Sequence, residues 1–368
     1  MTKDISALRT WAEIDLNAIR ANVRTVREKA GSAELMAIVK ANAYGHGVER
    51  VCLAMEDEDI TFFGIANIGE ARRIQNAGSR KRLFILGPTF PAEREEIVRN
   101  DWTAFVSSFE DARHFNDLAG VMNKKHRVHI ALNSGMGRGG FLPDFLCRHA
   151  RDFLAYENLI VEGLGSHMPV GDEDVEFTRE QIRCFARVCG VLEEVLPLRY
   201  KHLANSVGVM DYDIPSGNLA RPGLVLYGLS PMPGHEEELL PTCVFKSRVT
   251  TLQSLPPGQG VSYGRDFITK AETRVATVGV GYADGYPRQV SGKASVWIRG
   301  HRCPLLGRVT MDQIMVDVSA LDEVESGDEV ELFGPHISIQ EIADMAGTIV
   351  WDIFTSMSPR VTRIYKGA

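Results

Sequence analysis

The chain has 368 residues, 44% of them hydrophobic, and a formal net charge of −7. That length carries two domains with large cores, and the acidic balance excludes an electrostatic case for a nucleic-acid partner. The longest apolar stretches are strand-sized and broken by charge, so no membrane span is expected. The opening Met-Thr-Lys-Asp-Ile-Ser holds no apolar signal core. Six cysteines, at 52, 147, 184, 189, 243 and 303, form no Cys-x-x-Cys. They read as thiols of a reducing cytoplasm, and no metal site is expected.

In chain order, residues 11–16 alternate like a strand, and 17–30 read as a helix with Asn17 at its N-cap. Strands are then expected at 35–39, 62–66, 82–86, 103–106, 128–132, 159–164, 200–203 and 223–227. Amphipathic helical patterns fill most gaps, as at 69–77, 92–99 and 177–195. Strand alternating with helix implies parallel βαβ units, and eight strands fit a closed (β/α)8, TIM-type barrel. On that count the 11–16 strand belongs elsewhere. No Gly-x-Gly-x-x-Gly follows a strand in the dinucleotide pattern. The alternation stops at Ser230-Pro-Met-Pro-Gly-His-Glu-Glu-Glu, a linker. Beyond it come β-branched segments at 244–252, 274–280, 294–298, 314–318 and 329–332, then one helix at 339–345. The fold class is therefore α/β: an N-terminal barrel over 17–232 and a C-terminal, mainly antiparallel β domain over 233–368. Residues 1–16 are a strand expected to pack with the β domain.

The stretch Ala37-Ile-Val-Lys40-Ala-Asn-Ala-Tyr44-Gly-His-Gly47 organises the chemistry. A lysine where a barrel strand becomes a loop sits at the catalytic mouth. Apolar residues behind it lower the pKa of its amine, which can then hold an aldehyde as a Schiff base. The Tyr44 phenol can bond a phosphate. After the fifth strand, Asn133-Ser-Gly-Met136-Gly-Arg138-Gly-Gly-Phe is glycine-rich, and Arg138 offers a planar fork for a carboxylate or phenolate oxygen. Gly165-Ser-His167 follows the sixth strand and His202-Leu-Ala-Asn205-Ser206 the seventh. Ser206, with backbone N–H groups at Gly223 and Leu224, can complete a phosphate cup. Taken alone, each is also an ordinary loop or core residue.

Together, these segments resemble the alanine racemases. The likeness runs from Trp11-Ala-Glu-Ile-Asp-Leu to Arg360-Val-Thr-Arg363 and includes Gly260-Val-Ser-Tyr263-Gly, Gly281-Tyr282-Ala-Asp-Gly-Tyr-Pro-Arg288 and Arg308-Val-Thr-Met311-Asp312. The resemblance implies a pyridoxal-phosphate enzyme that interconverts L- and D-alanine and supplies D-alanine for the cell wall. Lys40 would carry the cofactor and serve the D enantiomer, and Tyr263 of the partner subunit would serve the L enantiomer. Tyr44, Asn205, Ser206, Gly223 and Leu224 would surround the phosphate. Arg221 would bond the pyridine nitrogen, with His167 linked to it. Arg138 would contact the cofactor phenolate and the substrate carboxylate. Tyr282, Met311 and Asp312 would reach the substrate from the partner subunit, so the active site would need a homodimer.

Three positions depart from the family. Ala131 replaces a carbamylated lysine, Asn133 an aspartate, and Trp351 a phosphate-binding, gate-forming tyrosine. The first two leave a chloride-sized space beside Arg138, and a chloride near Asn133 and Arg138 is expected there. They also leave open a racemase of broader substrate range. A decarboxylase of the same architecture is the further alternative.

Overall fold

The computed structural model describes residues 5–235 and 237–367. The chain divides into two compact units. The first holds Ala18–Ala43 and Val48–Leu240; the second holds Tyr44–Gly47 and the described residues up to Asn17 and from Pro241 onward.

β1 spans Thr10–Asp15. The first unit then carries β2 (Glu34–Ile38), β3 (Phe62–Ile65), β4 (Arg82–Ile85), β5 (Thr103–Val106), β6 (His126–Ala131), β7 (Leu159–Gly165), β8 (Tyr200–His202) and β9 (Leu219–Ala220). They form one parallel sheet in the order β8-β7-β6-β5-β4-β3-β2-β9. The ends meet through backbone bonds from Asn218 N to Lys201 O (2.9 Å) and from Arg221 N to Ala204 O (2.8 Å). This is the expected (β/α)8 barrel. Strands covered on both faces must be apolar almost throughout, and Leu35-Met-Ala-Ile38 and Phe62-Phe-Gly-Ile65 are buried along their length. Helices between them start on side-chain caps: Asn67 accepts from Glu70 N (3.1 Å), Ser108 from Asp111 N (3.1 Å) and Asp174 from Phe177 N (3.0 Å).

Two expectations need correction here. The helix Leu16–Lys29 begins one residue early, and Asp15, not Asn17, caps it, accepting from Asn17 N at 2.9 Å. The eighth strand is β9, not 223–227. Pro222 lacks an N–H for the ladder, and Leu224–Tyr227 instead coil into a 3₁₀ turn with all four side chains buried. A four-residue apolar run cannot tell a buried strand from a buried turn.

The second unit is built on a sheet ordered β15-β14-β17-β10-β1-β18, with β13 and β16 attached through β10. Its strands are β10 (Cys243–Leu255), β11 (Gly260–Val261), β12 (Phe267–Ile268), β13 (Thr273–Val278), β14 (Ser295–Ile298), β15 (His301–Pro304), β16 (Ile314–Asp317), β17 (Glu329–Phe333) and β18 (Thr362–Lys366). Pairing is antiparallel except between β1 and β18. A bulge between Val249 and Thr251 lets the long β10 serve two sheet faces. The expected helix is Ile339–Ala346, and a second, Val350–Ser356, follows it. Tyr44–Gly47 is tied to this unit by Arg363 Nε donating to Gly45 O (3.0 Å) and by His46 Nε2 beside Thr242 Oγ1 (2.9 Å).

Candidate active site

In a parallel barrel every strand's C-terminal end opens on the same mouth. Lys40 follows β2 there, half-buried. The next four residues turn left-handed: φ is 53° at Ala41, 58° at Asn42, 53° at Ala43 and 51° at Tyr44. Left-handed L-residues cost about 1–2 kcal/mol each, so neighbours must hold them. Asn42 does much of this. Its N–H donates to Glu70 Oε1 (3.2 Å), and its side-chain oxygen accepts from Val48 N (3.1 Å) and Arg73 Nη2 (2.7 Å). Glu70 also takes the N–H of Ala66 (2.9 Å). Burial pushes the Lys40 amine below its usual pKa; Arg138 and Arg221 push it the same way, and Glu70 opposes them. A lysine more often neutral is a better nucleophile and base.

Arg221 follows β9 and is buried. Its Nη1 donates to His202 Nδ1 (2.7 Å) and His202 O (2.6 Å), and its Nη2 donates to Ser166 O. The imidazole linked to Arg221 is therefore His202; the expected link from His167 is not formed. His167 is instead near enough to Arg221, Arg138 and Lys40 that their charges add to burial and hold it neutral, at about 3. Among the described residues no carboxylate pairs with Arg221. Burial lowers its guanidinium to about 9, with Arg138 adding to the effect. Ser206 Oγ accepts from Gly223 N at 3.0 Å, which puts the hydroxyl beside the start of the Leu224 turn. Asn205 caps the Ser206–Asp211 helix by accepting from Gly208 N (3.0 Å), which fixes the helix start that Ser206 opens.

The glycine-rich loop after β6 is pinned at its base by Phe141 N donating to Ala131 O (2.8 Å) and Asn133 N donating to Phe141 O (2.9 Å). Asn133 Oδ1 accepts from Gly137 N (3.0 Å). Arg138 is exposed in the single chain, and among the described residues it has no hydrogen-bond or ion-pair partner.

In the second unit, three loops join. Ser262 Oγ donates to Arg308 O (2.7 Å), Tyr282 N to Thr310 O (3.1 Å) and Ala283 N to Met311 O (3.0 Å). They present Tyr263 (69% exposed), Tyr282 (43%) and Met311 (52%) on the surface. Large apolar and phenolic groups left this exposed fit a surface made to be covered. Asp312 accepts from Arg360 Nη2 at 2.7 Å. Trp351 lies half-buried on the Val350–Ser356 helix, and Tyr44 is buried.

The structure brings two further residues into the first unit's cluster, Glu70 and Ser166. Asn67-Ile-Gly-Glu70 is a capping-box pattern, which signals a helix start and nothing about Lys40.

Residues 14–231 match the pattern described as alanine racemase, N-terminal domain, and 242–365 that of alanine racemase, C-terminal domain. An alanine racemase of Halothermothrix orenii is 37% identical over 366 residues, covering 97% of each chain. The alanine racemase structure of Clostridium difficile 630 superposes with a TM-score of 0.92 at 31% identity, covering 98% of this chain and 96% of that one. That of Bartonella henselae, with covalently bound pyridoxal phosphate, gives 0.90 at 29% identity, covering 98% and 100%. Matches of this length span both units and every loop that carries the residues above, and on them the chain belongs to the alanine racemase family.

Proposed function

We infer that the protein is an alanine racemase that uses pyridoxal phosphate to interconvert L- and D-alanine. The observation that carries this reading is Lys40, a half-buried amine of lowered pKa beside the cations Arg138 and Arg221 at the barrel mouth. Among the described residues no carboxylate pairs with either cation, and Ser206 and Gly223 sit together next to a helical turn. This donor set fits a phosphorylated aldehyde and an anionic substrate.

When bound, the cofactor supplies an aldehyde carbon for the amine and an electron-withdrawing ring that acidifies the α C–H. Ser206, Gly223, Leu224 and Tyr44 would hold its phosphate, with Asn205 capping the helix that Ser206 opens and Trp351 standing at the entry. Arg221 would face the ring nitrogen. An arginine can donate there but cannot accept a proton, so it limits how far the ring draws electrons. Arg138 would orient the substrate carboxylate. Lys40 Nζ would take the α-proton of the D enantiomer and return one to that same face when the D enantiomer forms. Tyr263 Oη of the partner subunit would do the same for the L enantiomer. Tyr282, Met311 and Asp312 of the same exposed loop cluster would complete the substrate side, which makes the working form a homodimer. A chloride between Asn133 and Arg138 is part of this reading, supported by the neutrality of Ala131 and Asn133. Six free cysteines accord with the cytoplasm. Among the described residues no helix is long and apolar enough to cross a membrane.

The test is borohydride reduction of the purified, cofactor-loaded protein followed by peptide mapping. The adduct should fall on Lys40. In heavy water, Tyr263→Phe should slow α-proton exchange from L-alanine far more than from D-alanine. An adduct elsewhere, or equal loss from both enantiomers, defeats the scheme. A panel of other single-enantiomer amino acids, scored for inversion and gas release, separates the broader racemase and the decarboxylase.

A further inference from the structure

Behind Arg221 the barrel core holds a line of polar groups that the scheme above does not use. His202 Nε2 lies 2.8 Å from His129 Nδ1, and both rings are fully buried. His129 Nε2 faces Glu162 Oε1 at 3.5 Å. Glu162 is ion-paired to Arg82, with Arg127 further off at 3.8 Å. The line runs Arg221, His202, His129, Glu162, Arg82.

The backbone is shaped around it. Val128 of β6 pairs with Val161 of β7, yet His129 pairs with Gly163. Glu162 is thus the extra residue of a bulge, and a bulge re-aims its side chain. The two interior positions that follow are glycines for lack of room. A Cβ at Gly163 would lie 2.4 Å from His129 Nδ1, and one at Gly165 would lie 2.3 Å from His202 Cε1. Any side chain there displaces an imidazole.

The line has only one direction. A guanidinium donates and never accepts. His202 Nδ1 must therefore carry the lone pair, and His202 Nε2 the proton. That N–H points at His129 Nδ1, which must accept, so the proton of His129 sits on Nε2. The group facing it is the Glu162 carboxylate, an acceptor in ion-pair range at 3.5 Å and longer than a formed hydrogen bond. Burial works against its charge, but His129 and Arg82 together hold its pKa below the ordinary carboxylate range.

We propose that Glu162 is a positioning residue for Arg221, acting through His129 and His202 by fixing both imidazoles in the Nε2–H tautomer. With Glu162 gone, His129 Nε2–H is a buried donor facing no acceptor, and only Arg221, at the far end of the line, still favours that tautomer. A proton on His129 Nδ1 would force the proton of His202 onto Nδ1, directly against Arg221 Nη1, and the guanidinium must turn away. The consequence for turnover rests on the role given to Arg221 above. The tautomer claim does not.

The test uses full-length, cofactor-loaded protein with nitrogen-15 histidine. In the wild type, His129 and His202 should each show a protonated Nε2 and a bare Nδ1, unchanged between pH 6 and pH 8 on the order expected for buried neutral rings. Glu162→Leu should mix the tautomers of both, lower kcat about tenfold and leave KM within about twofold, as loss of an orienting group does. Arg82→Gln gives a second handle should the first variant fold poorly. It frees the carboxylate for His129, which should then bind a proton at a higher pH than in the wild type, while His202 keeps its tautomer. An unchanged His202 tautomer in Glu162→Leu, or an unmoved His129 titration in Arg82→Gln, overturns the proposal. A wild type with no cofactor on Lys40 would instead defeat the proposed function and leave the tautomer result standing.

Discussion

Arg138 shows how far a single residue's neighbourhood can be read. The motif places it, and the residues that would support it are visibly changed: Ala131 has no functional group and Asn133 no charge. The sequence suggests a part-buried guanidinium in need of an anion. In the single chain Arg138 is exposed, so the desolvation cost there is small, and what remains is the charge of a cation without a partner among the described residues. Asn133 also proves to be spoken for on one side, since its oxygen holds Gly137 N and only its amide N–H group is left to face an anion. On this reading, replacing chloride by a bulky anion at constant ionic strength should lower activity severalfold, and bicarbonate should not restore it. The double change Ala131→Lys with Asn133→Asp should abolish the chloride response, because the aspartate still accepts from Gly137 N while the lysine fills the space. An enzyme indifferent to the anion would remove chloride from the site.

Among the elements, the Lys40 turn was legible in place but not in hand. Eleven residues locate it, yet Ala41-Asn-Ala-Tyr44 contains no glycine to announce positive φ. Its conformation is imposed from outside, by Glu70, Val48 and Arg73 meeting Asn42. Asparagine is also the one residue of the four that tolerates this region well. Asn42→Ala should therefore lose two side-chain bonds and that tolerance together, at about 1–3 kcal/mol in urea unfolding. Activity should fall further than stability at fixed temperature, since Lys40 is the residue next to the turn. A variant as stable and active as the wild type would show that the turn is held by its ends alone. The same limit explains the misplaced eighth strand: apolar runs of four or five residues carry burial but no period. Strands flanked by long amphipathic helices were found to within one or two residues, because there the two periods alternate.

Across the whole molecule, the switch from alternating strand and helix to bare β-branched strands after Ser230 was enough to expect two architectures. The polar line inside the barrel was not readable, because His129, Glu162 and His202 are far apart in sequence and meet only through a closed sheet. Those buried imidazoles set the protein's response to acid. Burial holds His126 near about 4 and His167 near about 3, and it lowers His129 and His202 as well. An unfolded histidine binds its proton near pH 6.5. Below that value the unfolded chain takes up protons that these four sites refuse, so stability must fall as pH falls. From pH 6.5 to pH 5 His126 and His167 each remove about 2 kcal/mol. His235 has the opposite sign, since Asp211 and Glu238 raise its pKa; its contribution is present in acid and is lost as pH rises. One site against four leaves the acid loss dominant. His126 isolates the effect: it stacks on Phe115 with ring centroids 5.1 Å apart, and among the described residues neither of its nitrogens has a partner. His126→Leu should be at least as stable as the wild type at pH 7.5, because it buries no unsatisfied nitrogen. At pH 5 it should exceed the wild type by about 2 kcal/mol more than it does at pH 7.5. Urea unfolding of both proteins at the two pH values measures this, and parallel losses in wild type and variant would show that His126 already binds its proton in the folded chain.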